Sequence, residues 1–568
     1  MRKTRIAIGL GTAAALSAAL IIPALPANAA GNTLVVNAAS ALRPVTHVAS
    51  GGLYGVATAT TPDASLLVPL HLNQMTQPAP GVQQLGNGAT EPTGDALKVA
   101  NTLTSVGAQQ SIRMPDIYPN FPYKWVSWSD WLQKVDTMVD ARLAAKSTTG
   151  INGWEIWNEP DGTWDTAKAG PYNDGWTRTY REIRSKDTVT PIIGPGTSIY
   201  NHDFMVSFLT QAKRDGTLPD VVVWHELSQG WAGIGDHIAD YRAIERSLGI
   251  SPRPISINEY AWTDQVDVPS AALHYISQFE RYGVRDAERA YWYESGTMNG
   301  LLYNGAPTAS YWMYKWYGAM TGNMVPVTAS GDFDGIASLD STRKIATVVA
   351  GGTYGDNSVR IDGLSGFGSS VRVSLAASGI TGRQTNAAAP TPTTSTLPVV
   401  NGSVTVPITN QDSRASYQIV VTPTSGPTTA YQQTYEAENA TVVNASRLSA
   451  ASASNGGYVG RIDGSADMRS DSFVDFLVDV PTAGNYTLGI RYANGGTATA
   501  TQGLAYNGGA FTNVSYPTTG SWGTFANSVT TPVTLKAGSN VIRLAKGSPN
   551  YAGGTGFAEL DSITVTPR

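Results

Sequence analysis

The chain has 568 residues, 38 basic and 43 acidic, for a formal charge of −5. That balance argues against nucleic acid or an anionic membrane surface as the partner. Cysteine is absent, which excludes disulfides, thiolate metal sites, iron–sulfur clusters and cysteine nucleophiles. Charged residues are only 14%, while Gly (59), Trp (14) and Tyr (26) are plentiful. Such a surface is polar but weakly charged, and its aromatic faces stack well on sugar rings.

At roughly 100–200 residues per domain the length predicts about three domains. Residues 1–30 read as an export signal: Met1–Arg5 is basic, Ile6–Leu25 apolar, and Ala27-Asn28-Ala29 a small-x-small cleavage site. A single-pass anchor is the alternative. Gly9-x-Gly11-x-x-Ala14 imitates a dinucleotide fingerprint but has no strand–helix unit around it. The expectation is a secreted, extracellular protein. Residues 31–50 carry a strand, Thr33–Asn37, expected to join a later sandwich.

From 51 to 322, short apolar runs alternate with amphipathic stretches, the pattern of repeated βα units around a parallel sheet. Predicted strands are Leu53–Ala57, Leu66–Leu70, Gln110–Met114, Gly153–Trp157, Thr190–Gly194, Val221–Trp224, Pro254–Asn258 and Arg289–Tyr293. Predicted helices include Asp95–Val106, Trp128–Ala144, Trp176–Ser185, Phe204–Lys213 and Ser310–Met320. Eight strands give a (β/α)8 TIM barrel, with an open doubly wound sheet as the second reading. Residues 323–421 alternate as an accessory β-sandwich. Residues 422–430 are a Pro/Ser/Thr/Gly linker, and 431–568 form a second β-rich unit, expected to be separable.

Catalytic side chains of such barrels sit at the C-terminal ends of strands. Glu159, in Trp157-Asn158-Glu159-Pro160, and Glu259, in Ile257-Asn258-Glu259-Tyr260, meet that rule on the fourth and seventh strands. Two carboxylates flanking one bond suit glycoside hydrolysis, one as acid/base and one as nucleophile or base. Strict alternation would turn Asn158 and Glu159 to opposite faces, so both reach the mouth only if the strand end is irregular. Arg113, ending the third strand, is a candidate to hold Glu259 ionised through a charge-assisted hydrogen bond. Glu226 is the rival nucleophile. Trp125, Trp164 and Trp262 fall in predicted βα loops as candidate subsite residues.

WNEP after the fourth strand and INEY after the seventh resemble clan A retaining glycoside hydrolases, and the added sandwich is most similar to family 39. The resemblance spans residues 31–422. It implies Glu159 as acid/base, starting protonated with a raised pKa, and Glu259 as nucleophile. It further implies that Asn158 binds the hydroxyl beside the anomeric carbon. His225 would orient the nucleophile or contact the sugar, with Leu227 replacing an expected aromatic. Trp292, read as lying on the eighth strand, would form the sugar platform. The substrate so implied is a polysaccharide or oligosaccharide, with exo-action on arabinose- or xylose-containing plant glycans expected over endo-action. Inverting hydrolysis and a catalytically inactive sugar-binding protein are the other readings. No cofactor is needed, and no nucleic acid, membrane or second subunit is implied, so a monomer is expected. The run Gln74–Pro92 reads as a long loop closing one end of the cleft.

The last unit opens Tyr435-Glu436-Ala437-Glu438 and closes Glu559-Leu560-Asp561. Acidic residues at both ends of a β-sandwich suit one calcium ion held by oxygen ligands. With Gly456-Gly457-Tyr458-Val459-Gly460 and Trp522, the unit is similar to jelly-roll carbohydrate-binding modules of families 6 and 35. The likeness suggests Glu436, Glu438 and Asp561 as calcium ligands, and Tyr458 and Trp522 as sugar-stacking residues.

Overall fold

The computed structural model describes residues 31–568 except 86–90, 146–149, 229, 293–294, 425–431, 463–471, 481, 526 and 548–550. The expected export signal and most of the expected linker lie outside these residues. Eight parallel strands close into a barrel in chain order. They are β1 (Gly51–Leu53), β2 (Gln74–Pro78), β3 (Gln109–Arg113), β4 (Ile151–Glu155), β5 (Ile192–Thr197), β6 (Val221–Trp224), β7 (Ile255–Tyr260) and β8 (Asp286–Arg289). Among the described residues, no helix is long and apolar enough to cross a membrane.

The first two strands differ from expectation. Leu66–Leu70 is helical, because Asp63 caps Ser65 N–H and Pro69 begins a tight turn. The second strand is instead Gln74–Pro78, whose polar residues read as a loop. In the barrel lumen those side chains are paired: Thr76 bonds Ser111 (2.9 Å) and Glu288 (3.0 Å), and Gln74 bonds Asn152 (2.9 Å). A polar lumen hides the apolar signature of a buried parallel strand. The loop therefore begins after Pro78.

The helices follow their caps. Ser127 accepts from Asp130 N–H and starts Trp128–Ala144; Asn201 accepts from Phe204 N–H and starts His202–Asp215. Gly216, Gly249 and Gly283 end three helices in the left-handed region. The helices' apolar faces and the outward barrel residues make one core.

Thr33–Asn37 pairs parallel with Gly355–Asp362 and antiparallel with Val327–Thr328, in the four-stranded sheet of the accessory sandwich. A seven-stranded sheet faces it across a separate apolar core. Thr422 and Pro423 belong to the strand Ser416–Pro423 rather than to a linker. Arg281 ties the barrel helix Pro269–Tyr282 to Asp334 of the sandwich at 2.7 Å.

Residues 433–567 form two antiparallel sheets around a third core. This unit is docked on the barrel rather than merely tethered. Leu477 packs against the barrel core, and Ser539 Oγ donates to Ser65 O at 2.7 Å. Tyr435 and Phe476 face Val68 and Val106 across a small cavity. Leu477→Asp should lower the melting temperature, because each kcal/mol lost shifts Tm by about 2–4 °C in a domain of this size. Calorimetry on the full chain checks this, and an unchanged Tm would contradict the docking.

Candidate active site

The floor of the barrel mouth is built from charge. Arg113 ends β3, is fully buried, and donates to Glu155 from Nε (2.6 Å) and Nη2 (3.2 Å). Its Nη1 donates to Glu259 Oε1 at 2.7 Å. Asn258 Nδ2 also donates to Glu155 Oε1 (2.7 Å). The carboxylates, Glu155 first, hold the Arg113 proton against the opposing effect of burial. Glu155 is thus the anchor on which Arg113 is mounted, at an inward position of β4 that the sequence reading passed over.

Glu159 lies four residues beyond β4, and the irregularity that both mouth-facing residues require is present. Its backbone is left-handed (φ 52°, ψ 53°), a region costly for a side chain with a Cβ. Pro160 disfavours the right-handed alternative at the preceding residue. Glu159 N–H donates to Gly196 O (2.8 Å), and Thr163 Oγ1 donates to Asn158 O (2.6 Å). Gly196 permits this approach, since a Cβ there would lie 3.0 Å from Trp157 O. Asn158 and Glu159 therefore both line the cavity.

His225 follows β6 and is fully buried between the two glutamates. Its Nδ1 lies 3.1 Å from Glu159 Oε1 and its Nε2 3.7 Å from Glu259 Oε1. A carboxylate oxygen of Glu159 and one of Glu259 come within 4.8 Å of each other. Burial pushes Glu159 up, but the hydrogen bond and charge of His225, with Arg113, outweigh it and leave its pKa lowered. The expected raised value is corrected here: the neighbouring imidazole decides it.

The cavity above holds about 500 Å³. Asn158 contributes a side-chain Oδ1 with no partner among the described residues. Two phenols missed in the sequence join it. Tyr54 and Tyr123 both donate to the buried Asp116, Tyr123 at 3.0 Å. Burial pushes Asp116 up to about 7, against the lowering effect of Arg113 and the two phenols. Asp116 lies three residues past Arg113, so the strand-end rule itself was the available signal. Beyond β2, Val82, Gln84, Leu85 and Thr93 line the cavity.

Trp292 also lines the cavity, three residues beyond β8 rather than on it, with Nε1 donating to Ala261 O (3.0 Å). Trp262 packs on it edge-to-face at 5.0 Å and is exposed. Trp125 and Trp164 are not subsite residues. They are buried 5.0 Å apart in a tryptophan cluster with Trp157, beneath the loops. Glu226 points away from the cavity, bonded to Trp224 Nε1 (2.7 Å) and His237 Nδ1 (2.8 Å). Leu227 lines the cavity.

In the C-terminal unit, Glu436 and Asp561 accept from the same Ser454 hydroxyl, at 2.6 and 3.0 Å. Glu438 Oε1 accepts from Asn455 (3.1 Å), while its Oε2 is buried with no partner among the described residues. Burial and then the neighbouring carboxylates push Glu438 up; Glu436 is likewise raised by burial and Asp561. Arg491 pairs with Asp561. Tyr458 is buried against Phe525 at 5.0 Å, so it supports the loop end rather than presenting a free ring. Trp522 is exposed there.

Over 69% of this chain and 99% of the other, the structure matches N2152 from Neocallimastix frontalis, with 34% identity and a TM-score of 0.65. The chain belongs to the family of N2152. Residues 433–568 match the family "Carbohydrate binding module (family 35)". A 3-O-beta-L-arabinopyranosyl-alpha-L-arabinofuranosidase of Bifidobacterium pseudocatenulatum is 30% identical over 505 residues, covering 74% of this chain and 51% of that protein. A 3-O-alpha-D-galactosyl-alpha-L-arabinofuranosidase of Bifidobacterium longum subsp. longum is 28% identical over 536 residues, covering 79% and 46%. The chain thus spans about half the length of these curated relatives.

Removing Arg113 tests the floor independently of any activity. Arg113→Met leaves Glu155 as an unpaired buried charge and should cost about 3–5 kcal/mol in urea unfolding. A loss below about 1 kcal/mol, the scale of an exposed pair, would contradict this account.

Proposed function

We propose that the chain is a retaining glycoside hydrolase of the clan A type, most like family 39, acting from the ends of arabinose-containing plant glycans. The observation that carries the reading is the facing of Glu159 and Glu259 across the barrel mouth. Their 4.8 Å oxygen-to-oxygen limit suits double displacement, which needs about 5–5.5 Å, better than inversion, which leaves room for a water at about 6.5–9.5 Å. The α-L-arabinofuranosidase names of the two curated relatives support the sugar. The wall to which Val82, Gln84, Leu85 and Thr93 contribute supports a pocket and hence exo-action.

In this reading Glu259 attacks the anomeric carbon while Glu159 protonates the leaving oxygen, and water then releases the sugar with Glu159 as base. Arg113 fixes the attacking carboxylate, so little reorganisation accompanies the reaction. Asn158 Oδ1 accepts from the hydroxyl beside the anomeric carbon, a bond that strengthens as positive charge develops there. Trp292 offers its ring to the apolar face of the sugar. The opening Met1–Ala29 segment supports export, and Trp522 supports sugar stacking by the C-terminal module.

Glu259→Gln should abolish turnover. Azide should partly rescue Glu159→Ala on activated aryl glycosides, because azide needs no general base and a good leaving group little protonation. Near-wild-type rates in either variant, measured by chromogenic release, would remove the assignment.

Calcium in the module is also proposed. The hard carboxylate donors Glu436, Glu438 and Asp561 and the orphaned Glu438 Oε2 fit such an ion. It would hold the loop around Ser454 to the closing strand. The chelated full chain should gain melting temperature with millimolar CaCl2, and Glu438→Gln should suppress that gain. A melt indifferent to calcium would count against the ion.

A further inference from the structure

A general acid must begin protonated, yet Glu159 holds its proton less firmly than an ordinary glutamic acid. The group beside it offers the explanation. The His225 backbone N–H donates to Thr197 O at 2.9 Å, which fixes the ring between the carboxylates. Nδ1 lies against Glu159 at 3.1 Å; Nε2 faces Glu259 at 3.7 Å and has no hydrogen-bond partner among the described residues. The ring is fully buried, so bulk water does not screen it. The charged groups facing it are Glu159, Glu259 and, more distantly, Arg113. Burial alone would lower His225 and Arg113 lowers it further, but Glu259 and Glu159 outweigh both and raise it.

We propose that His225 is the proton store of Glu159: the resting pair carries one proton on His225 Nδ1, which passes to Glu159 Oε1 during cleavage. The inference rests on the glycoside hydrolase reading above. In the first step a Glu259 oxygen bonds to the anomeric carbon and the glycosidic C–O bond breaks. The leaving oxygen takes a proton from Glu159 Oε1, supplied there by Nδ1, and His225 is left neutral. Ester formation removes the Glu259 charge, one of the two that held the imidazolium, so the grip on the proton weakens as it is needed. In the second step Glu159 takes a proton from water, whose oxygen bonds to the anomeric carbon as the Glu259–sugar bond breaks. The restored Glu259 carboxylate then draws that proton back to Nδ1. The site carries the same net charge at every stage.

The chain has six histidines, so nitrogen NMR of 15N-histidine-labelled full-length protein reads each ring, with His225→Gln assigning the signal. The free enzyme at neutral pH should show His225 as an imidazolium. The glycosyl-enzyme trapped with an activated 2-deoxy-2-fluoroglycoside should show it neutral. A neutral ring in the free enzyme, or an imidazolium in both states, would overturn the proposal. Kinetics give a second reading. His225→Gln should lose ~10²–10³-fold in kcat/KM on glycosides with poor leaving groups, and at most ~10-fold on dinitrophenyl glycosides. Equal losses on both would mark a merely structural histidine. Failure of the wild type on every glycoside would instead remove the hydrolase reading, while the free-enzyme spectrum still reports where the proton rests.

Discussion

One guanidinium between two carboxylates organises this molecule. Arg113 is buried with Glu155 beneath it and Glu259 beside it, an arrangement tolerable in a barrel interior because the guanidinium donates to both carboxylates and Asn258 adds a further hydrogen bond to Glu155. It joins three strands, β3, β4 and β7, at the end where their loops converge. Asn258 braces Glu155 from β7, and Tyr54 approaches the guanidinium from the loop after β1. The reacting geometry is therefore set by elements close-packed on every side, while sugar contacts come from the loops. The same division explains why strain is found at Glu159. A left-handed residue is sustained there by Gly196, Pro160 and Thr163.

The two glutamates end in different electrostatic surroundings. Glu259 faces a permanent cation; Glu159 faces a titratable one. Separating the environments of two carboxylates is how a single site assigns one to attack and the other to proton transfer. His225 lies between them and is the group whose charge responds to both.

The sequence disclosed the barrel, both sandwiches and the paired glutamates because these follow local rules: periodicity, caps and the strand-end position. It misplaced the first two strands for a physical reason. The lumen of this barrel is polar near β2, so Gln74 and Thr76 are buried without being apolar. Trp125 and Trp164 belong to the core although their loops suggested the cleft, since loop membership does not say which way a ring turns. Tyr458, read as a loop-end ring, lies instead in the strand Gly457–Gly460 and packs on Phe525. Asp116 and Glu155 were passed over because their roles act through Tyr123 and Arg113, contacts that span 7 and 42 residues in sequence. The lowered Glu159 pKa depends on a histidine 66 residues away, and no local pattern encodes that meeting.

The central claim is that Glu259 forms a covalent bond to the sugar. Its most direct test is peptide mapping by mass spectrometry after inactivation with an activated 2-deoxy-2-fluoroglycoside of the sugar hydrolysed. The account predicts one adduct, on the peptide containing Ile257-Asn258-Glu259-Tyr260. An adduct on Glu226 or Glu159, or turnover that inverts the anomeric centre without any adduct, would contradict it.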